Sequence, residues 1–181
     1  MIIERAWAMP DRRTFSIPPI ADLLREVMAG AVHSLDPFAN DARIATVTND
    51  LNPAFDCDFS MDALALAAHL QRSFGAEQFD RLVFDPPYSV RQVAECYAGV
   101  GLTVTAELTR SSFYSNLKDA LAPLITPGGL VVSFGWSSNG FGKCRGFEIE
   151  RILLVAHGGA HNDTICTVER KKQTSLREWT E

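Results

Sequence analysis

The chain has 181 residues, a formal net charge of −5 at pH 7 and 46% hydrophobic residues, which is ordinary for a soluble globular protein. The acidic balance argues against a protein that coats nucleic acid over its whole surface, because such binding needs many basic residues. No apolar run approaches the length of a membrane span, and residues 1–13 lack the apolar segment of a signal peptide. The sequence therefore predicts a cytoplasmic protein.

Helical and strand-like patterns alternate along the chain. Apolar residues at helical spacing predict helices at 20–28, 61–74, 90–100 and 111–125, the last with a kink or an end at Pro123. Apolar runs predict strands at 31–38, 43–50, 79–85, 130–136, 147–157 and 164–172. This order predicts one α/β domain over residues 1–181, with a mostly parallel sheet and an antiparallel C-terminal hairpin strand.

Acidic residues stand at the ends of three predicted strands, at Asp36, Asp50 and Asp85. In parallel α/β sheets the carboxyl ends of the strands form one edge, and ligands bind there. Asp85 begins the DPPY stretch, residues 85–88, whose two prolines must end the strand because they cannot donate to a sheet ladder. The sequence therefore predicts a site at this edge that combines carboxylates with an aromatic side chain.

The DPPY stretch resembles the catalytic motif of S-adenosylmethionine-dependent methyltransferases that act on N6 of adenine in DNA. The similarity covers roughly residues 14–170 and implies a compact, phage-like member with a Rossmann-like fold. An exocyclic base amine is a poor nucleophile, because its lone pair is delocalised into the ring. The resemblance implies that Asp85 and the Pro86 carbonyl accept its two N–H bonds, that the Pro86-Pro87 pair fixes the carbonyl, and that Tyr88 stacks on the extruded base.

The same resemblance implies a binding site for S-adenosylmethionine as the cofactor. Segments similar to the family's amino-terminal, first, second and third motifs begin at residues 14, 34, 48 and 59. The cofactor-binding residues implied are Thr14, Phe15, Asp36, Pro37, Phe38, Asp50 and Asp62. Asp50 is expected to accept hydrogen bonds from the ribose hydroxyls, and Asp62 is expected near the adenine of the donor.

The segment similar to the family's first motif departs from the family pattern, because the sequence DPFANDARIATVTND contains no glycine. The chain between Phe38 and Asp50 is also too short for a full crossover helix. Either the first unit is reduced to a loop, or Asp36 does not contact the cofactor. Asn40 could take the place of the missing glycine, because asparagine tolerates the left-handed region better than most residues.

A glycine-rich segment, residues 133–146, follows the strand next to the DPPY stretch and mixes aromatic with cationic side chains. We expect it to contact nucleic acid, DNA rather than RNA, or to close over the site. The nucleic-acid-binding residues proposed are Ser89, Trp136, Asn139, Lys143 and Arg145. Because little room remains for a target-recognition domain, a homodimer or a partner subunit is considered. The histidines and the four scattered cysteines match no zinc pattern, so no metal is expected.

Two other functions stay open. A non-catalytic descendant would keep the base pocket and bind nucleic acid or a partner protein without a donor. The missing glycines favour that alternative, whereas the DPPY stretch and Asp50 favour the enzyme. An acidic chain is also compatible with an acceptor that is not a polyanion, such as a free base, a nucleotide or a protein amide.

Overall fold

The computed structural model describes residues 1–103, 112–159 and 161–173, so the predicted helix start at Ser111 lies outside the described residues. Its strands are β1 (Ile2–Trp7), β2 (Ser34–Asp36), β3 (Val47–Thr48), β4 (Phe79–Phe84), β5 (Ile125–Gly135), β6 (Phe147–Ala156) and β7 (Thr164–Lys171). Its α-helices are α1 (Pro18–Met28), α2 (Ala63–Phe74), α3 (Val90–Gly99) and α4 (Phe113–Leu121). Short 3₁₀ turns cover Thr14–Ser16, Ala122–Leu124 and Lys143–Arg145.

These strands form one sheet in the order β1-β6-β7-β5-β4-β2-β3. Neighbouring strands are parallel except at β7, which runs antiparallel to both β5 and β6. The predicted fold class, a mostly parallel α/β sheet with an antiparallel C-terminal hairpin strand, is therefore confirmed.

Helices cover both faces of the sheet, and the alternation of side chains along β4 matches this arrangement. Leu82 and Phe84 pack in the core beneath α2 and α4, whereas Val83 packs in the core beneath α1. Leu117 of α4 and Leu23 of α1 are buried in these two cores. Burying a side chain of this size stabilises the fold by roughly 2 kcal/mol, so both layers contribute to holding the sheet edge in place.

Strand β1 is not predicted by the sequence pattern. It lies at the sheet edge and pairs in parallel with β6, from Ile2 beside Arg151 to Trp7 beside Ala156. Its side chains are partly or largely exposed, and Trp7 is 66% exposed. An edge strand of this kind lacks the apolar–polar alternation by which strands are recognised.

The two predicted strands at 31–38 and 43–50 are much shorter in the structure, as the bounds of β2 and β3 show. They run parallel, and the loop 37–46 joins them without a helix. The first unit is therefore reduced to a loop, one of the two alternatives that the sequence leaves open. Asn40 in this loop has a φ of 53°, so it adopts the left-handed conformation expected of a residue that replaces glycine.

Residues 126–129 lie inside β5 as a bulge. Between two pairs of partners, Phe79–Ile125 and Arg81–Leu130, β5 advances five residues while β4 advances two. As expected, α4 ends before Pro123, which lies in the following 3₁₀ turn. In the described parts of the chain no helix is long and apolar enough to span a membrane.

Candidate functional site

A cavity of about 800 Å³ opens at the carboxyl ends of β2, β3 and β4. The segments 12–16, 37–42, 49–52, 61–63 and 85–88 line it, together with residues of α3 and Phe113. The lining includes the predicted residues Thr14, Phe15, Pro37, Phe38, Asp50, Asp62, Asp85, Pro86, Pro87 and Tyr88. A cavity of this size is typical of sites for cofactors and small molecules.

Asp85 is the first residue after β4 and lines this cavity. The Tyr88 hydroxyl donates a hydrogen bond to Oδ1 of Asp85 at 2.5 Å. Burial raises the pKa of Asp85 to about 6, although hydrogen bonds from Tyr88 and Thr14 act in the opposite direction. Burial and the neighbouring Asp85 charge raise the pKa of Tyr88, so its hydroxyl stays a donor. Asp85 can therefore gain or lose its proton close to neutral pH.

Contacts from α3 and α4 hold the DPPY turn. The backbone N–H of Tyr88 donates to Oε1 of Gln92 at 2.8 Å, and the Tyr114 hydroxyl donates to the carbonyl of Pro87. The Ser89 hydroxyl accepts the backbone N–H of Gln92 at 3.2 Å and so caps α3. Ser89, proposed for nucleic-acid binding, therefore has a structural role at this position.

Asp36, at the end of β2, is completely buried beside the cavity wall. Its Oδ1 accepts the Phe38 N–H at 3.0 Å, whereas its Oδ2 has no partner among the described residues. Burial raises the pKa of Asp36 well above its usual value, and the charges of Asp85 and Asp50 raise it further, against the Phe38 N–H. The three acidic residues that follow these strands are therefore neighbours in space.

Asp50 connects the loop after β2, which replaces the glycine-rich turn, to the loop after β3. Its Oδ2 accepts the backbone N–H of Asn40 at 3.0 Å, and its Oδ1 accepts that of Asn52 at 2.8 Å. Each oxygen keeps a second lone pair and can accept one further hydrogen bond. Asp50 can therefore still accept hydrogen bonds from hydroxyl groups of a ligand.

Asn49 is a residue of the site that the sequence analysis misses. Its side-chain amide donates to the carbonyls of Pro37 and Met61 at 3.0 and 2.9 Å, and its Oδ1 accepts the Met61 N–H at 3.1 Å. It is buried and joins the loop after β2 to the segment before α2. A polar amide beside Asp50 at a strand end is the signal that could have identified it.

Asp62 is the N-cap of α2. Its Oδ1 accepts the backbone N–H groups of Leu64 and Ala65 at 2.9 and 3.2 Å, and its Oδ2 accepts the Tyr97 hydroxyl from α3. Tyr97 also lines the cavity and is not predicted from the sequence. Asp62 therefore stabilises the helix that borders the cavity, and both of its oxygens already have partners.

Buried groups hold the glycine-rich segment, residues 133–146, against the rest of the fold. Phe141 is completely buried, and the backbone N–H groups of Phe141 and Gly142 donate to the buried Glu169 carboxylate at 2.5 and 2.9 Å. At the start of the segment, Trp136 is 50% exposed, and its ring centroid lies 5.9 Å from that of Tyr88. The segment therefore presents an aromatic ring beside the DPPY turn from a fixed position.

The polar residues proposed to contact nucleic acid from this segment differ in their surroundings. Arg145 donates to Asp119 at 2.7 Å, to the Phe141 carbonyl at 2.8 Å and to the Ser115 hydroxyl at 2.7 Å, so each guanidinium nitrogen has a partner. The backbone carbonyl of Asn139 accepts Nζ of Lys118 at 2.6 Å, and Asn139 itself is exposed. Lys143 is exposed, with no side-chain hydrogen bond or ion pair to another described residue. Of these two cations, Lys143 therefore has a side chain without a partner among the described residues, and it lies before the end of β6 that pairs with Lys171, outside the cavity lining.

Charged groups around the cavity are mostly acidic. Its lining contains two arginines and five carboxylic acids: Arg12, Arg13, Asp41, Asp50, Asp62, Asp85 and Glu95. Arg13 is paired with Asp41 at 2.9 Å. The lining therefore favours a cation or a neutral group over a phosphate.

A histidine and a cysteine of the C-terminal hairpin are held within the fold. The two ring nitrogens of His157 lie 2.9 Å from the Ala8 carbonyl and 2.9 Å from the Thr164 hydroxyl. Cys166 is buried, and burial raises the pKa of its thiol to about 12. The described residues contain no cluster of three or more metal-ligating side chains.

The sequence matches no protein-family model and no curated protein. The fold resembles TrmN from Thermus thermophilus, with a TM-score of 0.55 and 20% identity over 86% of this chain and 49% of that one. It also resembles the N-methyltransferase NodS from Bradyrhizobium japonicum, with a TM-score of 0.58 and 13% identity over 91% and 100% of the two chains.

A third similar structure is the 1,6-didemethyltoxoflavin N1-methyltransferase of Burkholderia thailandensis with S-adenosylhomocysteine bound. Its TM-score is 0.55 at 12% identity, over 86% of this chain and 77% of that one. The chain spans about half the length of TrmN and the full length of NodS. At these identities the likeness concerns the fold alone, and the chain has the Rossmann-like fold of methyltransferases.

Proposed function

We propose that this protein transfers a methyl group from S-adenosylmethionine to an exocyclic amino group of a nucleic-acid base, namely N6 of adenine in DNA. The observation that carries the proposal is the position of Asp85, which lines a cofactor-sized cavity next to a rigid Pro-Pro turn. The fold shared with methyltransferases supports the reaction class. Under this proposal the domain performs the reaction alone, as a homodimer or with a partner subunit.

Asp85 and the carbonyl of Pro86 would bind the acceptor amine. Because the Tyr88 hydroxyl occupies one lone pair of Oδ1, the other lone pairs of the Asp85 carboxylate can accept an N–H bond. The fixed φ of Pro86 and Pro87, together with the bond from Tyr114 to the Pro87 carbonyl, keeps this turn from adapting to other geometries. Two acceptors on one amine draw its lone pair out of conjugation with the ring and make the nitrogen more nucleophilic.

The residues present fit a cationic donor. S-adenosylmethionine would supply an electrophilic methyl group on a sulfonium centre, and the five carboxylic acids around the cavity offset its positive charge. Asp36 adds a buried oxygen beside the wall that has no hydrogen-bond partner among the described residues. Asp50 would accept ribose hydroxyls with its remaining lone pairs, while Thr14, Phe15, Pro37 and Phe38 would form the surrounding wall.

The nucleic acid would enter as a single base, with its phosphates outside the cavity. Tyr88 and Trp136 form an aromatic pair at the DPPY turn on which a base can stack. Lys143 would contact a phosphate, and the exposed amide of Asn139 could add a polar contact. A base extruded from a helix, or already single-stranded, leaves the acidic cavity facing an uncharged group.

Transfer of a tritiated methyl group from S-adenosylmethionine tests the proposal. We expect label in DNA that contains adenine, and a loss of at least about a hundredfold in Asp85→Ala, because that variant lacks the principal acceptor of the amine. Asp22→Ala is the matched control, since Asp22 is an exposed acid on α1 that pairs with the neighbouring Arg25. The proposal is wrong if the wild-type protein labels no acceptor.

A second candidate function is methylation of a small, non-polyanionic amine. The observation that favours it is the acidic lining of the cavity, together with the internal partners of Arg145. Adenosine, single-stranded RNA and single-stranded DNA of equal adenine content therefore belong in the same assay. Label in adenosine alone would favour the second candidate.

The non-catalytic alternative requires a separate measurement. Calorimetry with S-adenosylmethionine reports donor binding whether or not transfer occurs. A protein that binds adenine-containing DNA but no donor at millimolar concentration would be a nucleic-acid-binding descendant of the fold. The loop that replaces the glycine-rich turn is the feature that would account for this outcome.

A further inference from the structure

We propose that the Tyr88 hydroxyl is a positioning group for Asp85: it fixes the carboxylate in the orientation and the charged form that accept the substrate amine, in addition to the stacking surface of the ring. This inference rests on the proposed function, because it assigns a second role to a residue of the same site. It predicts that the hydroxyl of Tyr88 affects the charge of Asp85, whereas the ring affects binding of the base.

The geometry of the turn supports this role. The two residues are three positions apart, and the hydroxyl reaches back across the turn to Oδ1 of Asp85 at 2.5 Å. The backbone of Tyr88 is held by Gln92, and its ring packs edge-on against Trp136 at an interplanar angle of 62°. Because Gln92 holds the backbone of Tyr88, the hydroxyl has a fixed direction, and its hydrogen bond restricts rotation of the carboxylate.

Among the described residues around Asp85, few other groups can donate a hydrogen bond that favours its ionised form. Thr14 contributes a hydroxyl from the amino-terminal 3₁₀ turn, which also favours the charged carboxylate. The buried Asp36 from β2 and the buried Cys166 from β7 interact electrostatically with Asp85 and donate no hydrogen bond to it. Among the described neighbours, Tyr88 and Thr14 are therefore the groups that favour ionised Asp85.

The consequence is a dependence on pH that stacking alone would not produce. Burial raises the pKa of Asp85, the Tyr88 hydrogen bond lowers it, and the resulting pKa is about 6. A hydrogen bond to a charged group changes a pKa by about one pH unit, so Tyr88→Phe should raise the midpoint to about 7. The ionised fraction would then fall about fivefold at pH 6, about twofold at pH 7 and negligibly at pH 9.

Two measurements on the intact protein test the inference. Carbon-13 NMR of aspartate-labelled protein, with the Asp85 signal assigned through Asp85→Asn, reports the carboxyl midpoint without any substrate. The pH profile of methyl transfer reports the same group during the reaction. Trp136→Leu is the comparison variant, because it removes the neighbouring ring and leaves the hydroxyl bond in place.

We expect Tyr88→Phe to move the midpoint of the Asp85 titration and the midpoint of the pH–activity profile upward by about one pH unit. We expect Trp136→Leu to raise KM without moving either midpoint. An Asp85 midpoint that is unchanged in Tyr88→Phe would overturn it, as would a loss of activity in that variant that is equal at pH 6 and pH 9. The NMR result distinguishes failure of this inference from failure of the proposed function. Even if the wild-type protein transfers no methyl group, its Asp85 midpoint can still be compared with that of Tyr88→Phe.

Discussion

Gly140 lies against the buried carboxylate that anchors the glycine-rich segment, and replacing it by alanine is a direct test of that anchor. A Cβ at position 140 would overlap Oε2 and Cδ of Glu169 and lie 2.9 Å from its Oε1. The Glu169 carboxylate would have to move away. In doing so it would lose the backbone N–H groups of Phe141 and Gly142, which it accepts at 2.5 and 2.9 Å.

The magnitude follows from those two bonds. Each hydrogen bond to a charged acceptor contributes about 1.5–3 kcal/mol, and Glu169 is completely buried, so no solvent-exposed position is close by. Gly140→Ala should therefore reduce the free energy of unfolding by about 3–6 kcal/mol. That is a large part of the 5–15 kcal/mol that is usual for a domain.

Urea unfolding followed by circular dichroism measures this change. Gly135→Ala is the matched control, because a Cβ there meets no atom within 4 Å. It should change the free energy of unfolding by less than about 0.5 kcal/mol. In the double variant Gly140→Ala/Glu169→Ala the overlap is gone, so the double variant should be no less stable than Glu169→Ala alone. A Gly140→Ala protein as stable as Gly135→Ala would refute the reasoning.

Three further predictions concern the site. Asp85→Asn should gain stability relative to wild type as the pH rises from about 4 to about 6, by up to about 3 kcal/mol, and should keep that difference at higher pH. Folding raises the pKa of Asp85 to about 6, so between these pH values the unfolded chain has lost the proton that the folded protein still holds. Urea unfolding from pH 4 to pH 8 checks the sign. Tyr114→Phe should cost about 1 kcal/mol in thermal or urea unfolding and lower methyl transfer, because the carbonyl of Pro87 loses its donor. Lys143→Ala should reduce the salt dependence of binding to single-stranded DNA by about one phosphate contact, whereas Arg145→Ala should mainly reduce stability; equal salt slopes for wild type and Lys143→Ala would exclude the phosphate contact.

The fold is predictable from the sequence largely because the core elements follow local periodicity. Gly75 ends α2 with a φ of 84°, and Pro123 follows the end of α4, as the sequence indicates. The exposed edge strand β1 has no such pattern, since its pairing with β6 joins residues about 150 positions apart. Local patterns therefore predict buried elements well and edge elements poorly.

The candidate site is predictable in its position but not in its contacts. The rule that ligands bind at the carboxyl ends of parallel strands brings Asp36, Asp50 and Asp85 together correctly. The partners that hold them are distant in sequence: the Tyr97 hydroxyl bonds to Asp62, 35 positions away. A sequence shows which residues carry a charge or a hydroxyl, but the partner is decided by tertiary packing.

The acidic cluster has a cost that is informative about function. Burying an acid without a full set of partners disfavours its charged form, as the raised pKa values of Asp36 and Asp85 show. A protein selected for stability alone would replace these groups with apolar residues of similar size. Both acids lie beside one cavity, and Oδ2 of Asp36 has no partner among the described residues. This is the arrangement expected where a cation and an amine must be bound. The ionised forms of Asp36 and Asp85 are unfavourable without a ligand, and this is an argument for a ligand whose charge or hydrogen bonds stabilise them.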